Sequence, residues 1–116
     1  YGLVGSEDVY KRQDAILFFS YSGSTRDMCD TLQIASSRHV PVILITHFPK
    51  SAGAEFASVV LQCGYNESPL QSGSVAAKVG QLFLIDCLFY GYCSQKPDTC
   101  SAARSATAHA IANKLL

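Results

Sequence analysis

Apolar residues along the chain change period several times, and each change marks an element. Ala15-Ile16-Leu17-Phe18-Phe19 is an uninterrupted apolar run, the pattern of a strand covered on both faces. Met28, Leu32 and Ala35 then recur at i, i+4 and i+7, predicting a helix over Thr25–Arg38. Ser24 is placed to cap it, with Asp27 three residues on completing a capping-box-like pair and suiting the positive helix end. Val40–Thr46 reads as a second buried strand, with Pro41 tolerable near its start. Ala52–Ala57 suggests a short helix and Ser58–Cys63 a third strand, and the stretch Gly64–Ser72 is polar and turn-rich. A long helix is expected over Gly73–Ser94, with Val75, Val79, Leu82, Asp86 and Phe89 along one stripe. Asp86 on such a stripe calls for a partner or an interface. Lys96-Pro97-Asp98 should break that helix, and Asp98 or Thr99 should cap a last one ending near Leu116.

Strands alternating with helices imply parallel pairing and right-handed crossovers. The fold class expected is α/β, a three-layer doubly wound parallel sheet of flavodoxin/Rossmann type. Its visible strands number about three, where five or more are usual, so the pattern reads as the second half of a domain. Residues 1–13 have no clear period and no turn leading into the first strand. They read as a non-native or unstructured leader, and 14–116 as the partial domain.

Composition narrows the class. With 48% hydrophobic and 16% charged residues the chain suits a compact domain and not a disordered one. Nine basic and nine acidic residues cancel without forming a basic stripe, which speaks against nucleic-acid binding by this segment. The longest apolar run is far short of a membrane span, and no signal-peptide pattern opens the chain, so no membrane partner is expected. Five cysteines, without a CxxC pair or a His at ligand spacing, fit reduced thiols in a cytoplasmic protein and no metal site.

The chemistry sits where the first strand gives way to the first helix. Ser20-Tyr21-Ser22-Gly23-Ser24-Thr25 places hydroxyls and a glycine at a helix start, whose free N–H groups carry partial positive charge. Such a loop wraps an anion without a metal or a cluster of cations. In parallel sheets ligands lie beyond the carboxyl ends of the strands. The loops Ser20–Thr25, His47–Ser51 and Gly64–Ser72 share that edge.

Residues 14–116 resemble the sugar isomerase (SIS) domain, most closely the version at the carboxyl end of RpiR-type transcriptional regulators. The likeness rests on Ser20-Tyr21-Ser22-Gly23-Ser24-Thr25, on Ile45-Thr46-His47-Phe48-Pro49, and on Ser72-Gly73-Ser74-Val75-Ala76-Ala77-Lys78 leading into Gln81–Asp86. It implies that Ser20, Ser22 and Thr25 contact a phosphate through their hydroxyls, with Gly23 allowing close approach and Ser24 acting through its cap or N–H. Around the sugar it implies Ser51, Gln71 and, less directly, Tyr21, His47 and Glu67. The expected ligand is a phosphorylated sugar or amino sugar, bound without a cofactor by a homo-oligomer. DNA would be reached only through an amino-terminal helix-turn-helix domain, absent here along with an earlier strand and loop of the family's domain.

Enzymatic relatives resemble this chain with a catalytic glutamate where Gln71 stands. An amide cannot accept and return a proton, so Gln71 favours a non-catalytic, sugar-phosphate-sensing effector domain over the alternative, an aldose–ketose isomerase or related lyase. Glu67 or His47 would have to act as base in that alternative.

Overall fold

A computed structural model of the chain describes residues 14–66 and 75–114. The leader 1–13 and the loop positions Glu67 and Gln71 lie outside the described residues. The chain divides into two compact units, residues 1–81 and 82–116.

The first unit holds a parallel three-stranded sheet in the order β1-β2-β3, formed by β1 (Ile16–Phe19), β2 (Val42–Thr46) and β3 (Val59–Gln62). Helix α1 (Arg26–Ser37) connects β1 to β2, and a single 3-10 helix, Ala52–Phe56, lies between β2 and β3. The α/β class and the three parallel strands expected from the sequence are thus present. Met28, Leu32 and Ala35, the three positions of the expected helical stripe, are the buried residues of α1. They join Val40, Val42 and Leu44 in one core, flanked by Ile16, Phe18, Cys29 and Phe56. The central strand β2 is also closed on its other side, where Ile45 is buried.

Two local expectations are corrected. Strand β1 lies at an edge, and Leu17 is 43% exposed, so its apolar run is not covered on both faces among the described residues. The capping position of α1 belongs to Thr25, not Ser24, and no side-chain capping bond forms there. The Ser24 hydroxyl instead donates to the Ser22 carbonyl at 3.3 Å. The end of α1 is closed by backbone bonds, His39 N–H donating to Ser36 O at 3.0 Å and Val40 N–H to Ala35 O at 2.9 Å with His39 at φ 58°, and by the Ser37 hydroxyl donating to Ile34 O at 2.8 Å.

Helix α2 (Val75–Gln95) runs from the first unit into the second. Its expected stripe is not a buried face: Val75, Val79, Leu82 and Phe89 are all exposed, and Ala77 is the buried residue of the helix. Apolar side chains surround the helix, so periodicity could not select a face. Asp86 is exposed and needs no buried partner. Although uninterrupted apolar runs are short, α2 as a whole is long and apolar enough to cross a membrane by length and composition.

In the second unit, helix α3 (Pro97–Ala112) begins on Pro97 after Lys96, correcting the expected cap at Asp98 or Thr99. Proline suits that first position because its missing N–H would have no partner there. The Arg104 guanidinium sits over the Phe89 ring, 5.3 Å from its centroid. The Cys100 thiol is pushed above its usual range by a hydrogen bond with Cys93 and by burial. All five cysteines are free.

Candidate functional site

Register brings the ends of β1 and β2 level. Phe19 pairs with Ile45, and the ladder continues one step on, with Ser20 N–H donating to Ile45 O at 3.0 Å. The loops that follow each strand therefore leave the sheet side by side. Two backbone bonds tie them: His47 N–H donates to Tyr21 O at 3.1 Å, and Gly53 N–H to Gly23 O at 2.8 Å.

Thr46 supplies the third tie. Its hydroxyl donates to Tyr21 O at 3.0 Å and accepts from Phe48 N–H at 3.2 Å. The side chain is 1% exposed, so these are protected bonds in which one hydroxyl fixes the path of both loops. The sequence reading did not single out Thr46, because a threonine at a strand end is also ordinary strand composition.

Within the first loop the hydroxyls are partly engaged. Ser20 Oγ accepts from Gly23 N–H at 3.1 Å, and Ser22 Oγ from Ser24 N–H at 3.3 Å. Gly23 has φ 65° and is buried under the second loop. A Cβ there would strike the Ser51 side chain and come 2.9 Å from Thr46 Oγ1. Only glycine satisfies both the conformation and the closeness. Thr25 is exposed at the first turn of α1, with no capping bond from its side chain.

The two loops enclose an open hollow of about 550 Å³ lined by Ser22, Ser24, Phe48, Pro49, Lys50 and Ser51. Of the expected phosphate and sugar residues, Ser22, Ser24 and Ser51 meet there. Ser20, Gly23 and Thr25 shape the loop but do not line the hollow. Ser51 holds the N-cap position of the 3-10 helix yet makes no side-chain capping bond. Its hydroxyl is buried and has no hydrogen-bond partner among the described residues. The N-cap position therefore does not account for the Ser51 side chain, which packs against Gly23.

Tyr21 and His47 form a separate cluster. Their rings stack at 5.1 Å with planes 6° apart, and Phe48 meets the His47 ring edge-on at 4.8 Å. Tyr21 Oη donates to Tyr65 O at 2.8 Å, and His47 Nε2 lies 2.8 Å from Asn66 Oδ1. His47 is 8% exposed, and its Nδ1 has no partner among the described residues. Tyr65 and Asn66, missed by the sequence reading, carry this cluster onto the loop after β3. Among the described residues no group of three or more His, Cys, Asp or Glu is arranged to hold a metal ion.

Comparison with known proteins identifies the fold and the family. A family model described as the SIS domain matches residues 5–90. The uncharacterized HTH-type transcriptional regulator YbbH of Bacillus subtilis is 27% identical over 101 residues, which is 86% of this chain and 36% of that protein. The HTH-type transcriptional regulator RpiR of Escherichia coli is 29% identical over 84 residues, 72% of this chain and 28% of RpiR. The chain thus spans about a third of the length of the curated relatives it matches. Among solved structures, the Vibrio vulnificus NanR protein complexed with ManNAc-6P aligns with a TM-score of 0.84 at 24% identity, over 97% of this chain and 43% of that one. At that identity the likeness establishes the fold. With the family model matching most of its length, this chain belongs to the SIS domain family.

Proposed function

We propose that the chain is the sugar-phosphate-sensing domain of a helix-turn-helix transcriptional regulator, and that it binds a phosphorylated amino sugar without transforming it. The observation that carries this reading is the hollow between the first two loops at the carboxyl edge of the sheet, to which the first loop contributes Ser22 and Ser24 and the second Lys50 and Ser51. Hydroxyls beside a helix start are suited to a phosphate. The names of the relatives support the regulatory role, and the ManNAc-6P bound by NanR suggests the class of ligand. The sugar would extend toward Tyr21 and His47, and the family resemblance assigns Glu67 and Gln71 to it as well.

Sensing works through differential binding. A ligand seated close to a contact between copies of the chain favours one arrangement of the oligomer, and DNA affinity changes by the same coupling free energy, about 1–3 kcal/mol in typical cases. The exposed apolar side chains of α2, among them Val79, Leu82 and Phe83, support such a homo-oligomer. DNA contact is assigned to a separate helix-turn-helix domain of the kind named in the relatives, and the protein to the cytoplasm. A thermal-shift panel tests the reading: ManNAc-6P and related hexose phosphates should raise the melting temperature with concentration, and the parent sugars should not. A rise with parent sugars alone would overturn it.

A further inference from the structure

The sequence reading assigned anion capture to hydroxyls without cations. The hollow departs from that in one residue. Among its lining side chains Lys50 is the one that ionises; the others are hydroxyls or apolar. No carboxylate lines it, and no ion pair engages Lys50 among the described residues. The one formal charge among the lining side chains is that of Lys50, opposite in sign to a phosphate; the other ionisable groups on the adjoining elements are Arg26 and Asp27 in the first turn of α1, His47 after β2 and Glu55 in the 3-10 helix.

The backbone around Lys50 is set by its neighbours. Pro49 fixes its own φ on one side. On the other, Ser51 is buried, its N–H donates to Phe48 O at 3.0 Å, and its carbonyl accepts from Ala54 N–H at 3.0 Å. The Lys50 side chain is exposed while its attachment is held. Phe48 and Pro49 add apolar wall beside it, which strengthens a charge contact formed there. The Ser51 hydroxyl on the same loop is buried and turned to Gly23, so Lys50 is the polar side chain that the second loop brings to the hollow.

We propose that Lys50 is a ligand-binding residue of this hollow: its ammonium group contacts the phosphate of the bound sugar opposite the Ser22 and Ser24 hydroxyls, and favours the dianion over the monoanion. The inference rests on the phosphosugar reading above and adds to it a cation and a pH dependence. A phosphate monoester loses its second proton near pH 6. Binding by the wild-type chain should therefore tighten from pH 5 to pH 7, and removal of the Lys50 charge should flatten that rise.

The test is calorimetric titration of the chain with ManNAc-6P and, separately, with inorganic phosphate, at low and high salt. Lys50→Met should weaken ManNAc-6P binding about tenfold at low salt, with the gap narrowing to about threefold at 0.5 M salt. Lys50→Arg should restore affinity to within about twofold, because it restores the charge. Melting temperatures without ligand should be the same in all three proteins, since the side chain is exposed. Ser22→Ala is the reference variant. If it weakens binding while Lys50→Met leaves affinity, salt dependence and pH profile unchanged, the role of Lys50 is overturned and the phosphosugar reading stands. If the wild-type chain binds neither probe, both are overturned.

Discussion

Gly23 lies directly beneath Ser51, so close that the smallest side chain at position 23 would run into the serine. This packing joins the loop after β1 to the loop after β2, and it occurs at a residue whose φ of 65° disfavours any side chain. Gly23→Ala should thus cost about 2 kcal/mol or more of stability, from strain and overpacking together. Urea denaturation measures this. A loss below about 0.5 kcal/mol would mean the two loops part easily.

Thr46→Val retains shape but removes the hydroxyl that bonds Tyr21 O and Phe48 N–H. Tyr21 O retains the His47 N–H bond, whereas Phe48 N–H loses its partner. We expect about 1–2 kcal/mol of destabilisation and at least a fivefold loss of phosphosugar affinity. The same stability loss with unchanged affinity would show that Thr46 supports the fold and not the position of the loops.

His39 holds the left-handed position that ends α1. Glycine adopts that conformation without the steric cost of a Cβ, although it gains more freedom on unfolding. His39→Gly should stabilise the chain by about 0.5–1 kcal/mol in a denaturant titration, with ligand affinity unchanged. Destabilisation would indicate that the imidazole makes contacts worth more than the strain.

Non-catalytic binding is tested by incubation with phosphosugars in deuterated water, followed by NMR of the carbon next to the carbonyl. With Gln71 in place of a general base, the sugar should return unlabelled, because loss of such a base removes about 10²–10⁴ in rate. Protein-dependent deuterium uptake would point to Glu67 or His47 as the base and would favour the isomerase alternative.

Much of the sheet and its first helix was legible in the sequence. Met28, Leu32 and Ala35 stand at one helical spacing and are the residues that α1 buries. The strand read at Val40–Thr46 contains the central strand Val42–Thr46, buried on both faces. Helix α2 was legible as a helix but not as a surface: Leu82, Phe83, Phe89 and Tyr90 surround it, so no period marks an inner side. At the candidate site, of the hydroxyls expected from the sequence at Ser20, Ser22 and Thr25, Ser22 lines the hollow, and Ser24, expected to act through its cap or N–H, joins it there. Thr46 and Lys50 could not be read from the sequence, since their roles come from register, which sets one loop against the other. The cap of α1 falls on Thr25 and not on Ser24 because the strand-to-helix turn runs one residue further.

The most direct measurement for the central claim is a paired calorimetric titration with ManNAc-6P and with the same sugar lacking phosphate, on the wild-type chain and on the Ser22→Ala, Ser24→Ala double variant. Hydrogen bonds to a charged group contribute about 1.5–3 kcal/mol each. The account predicts saturable binding of the phosphorylated sugar, at least tenfold weaker binding by the double variant, and little or no binding of the sugar without phosphate. Equal affinity of the double variant and the wild type, or equal binding of the two sugars, would contradict it.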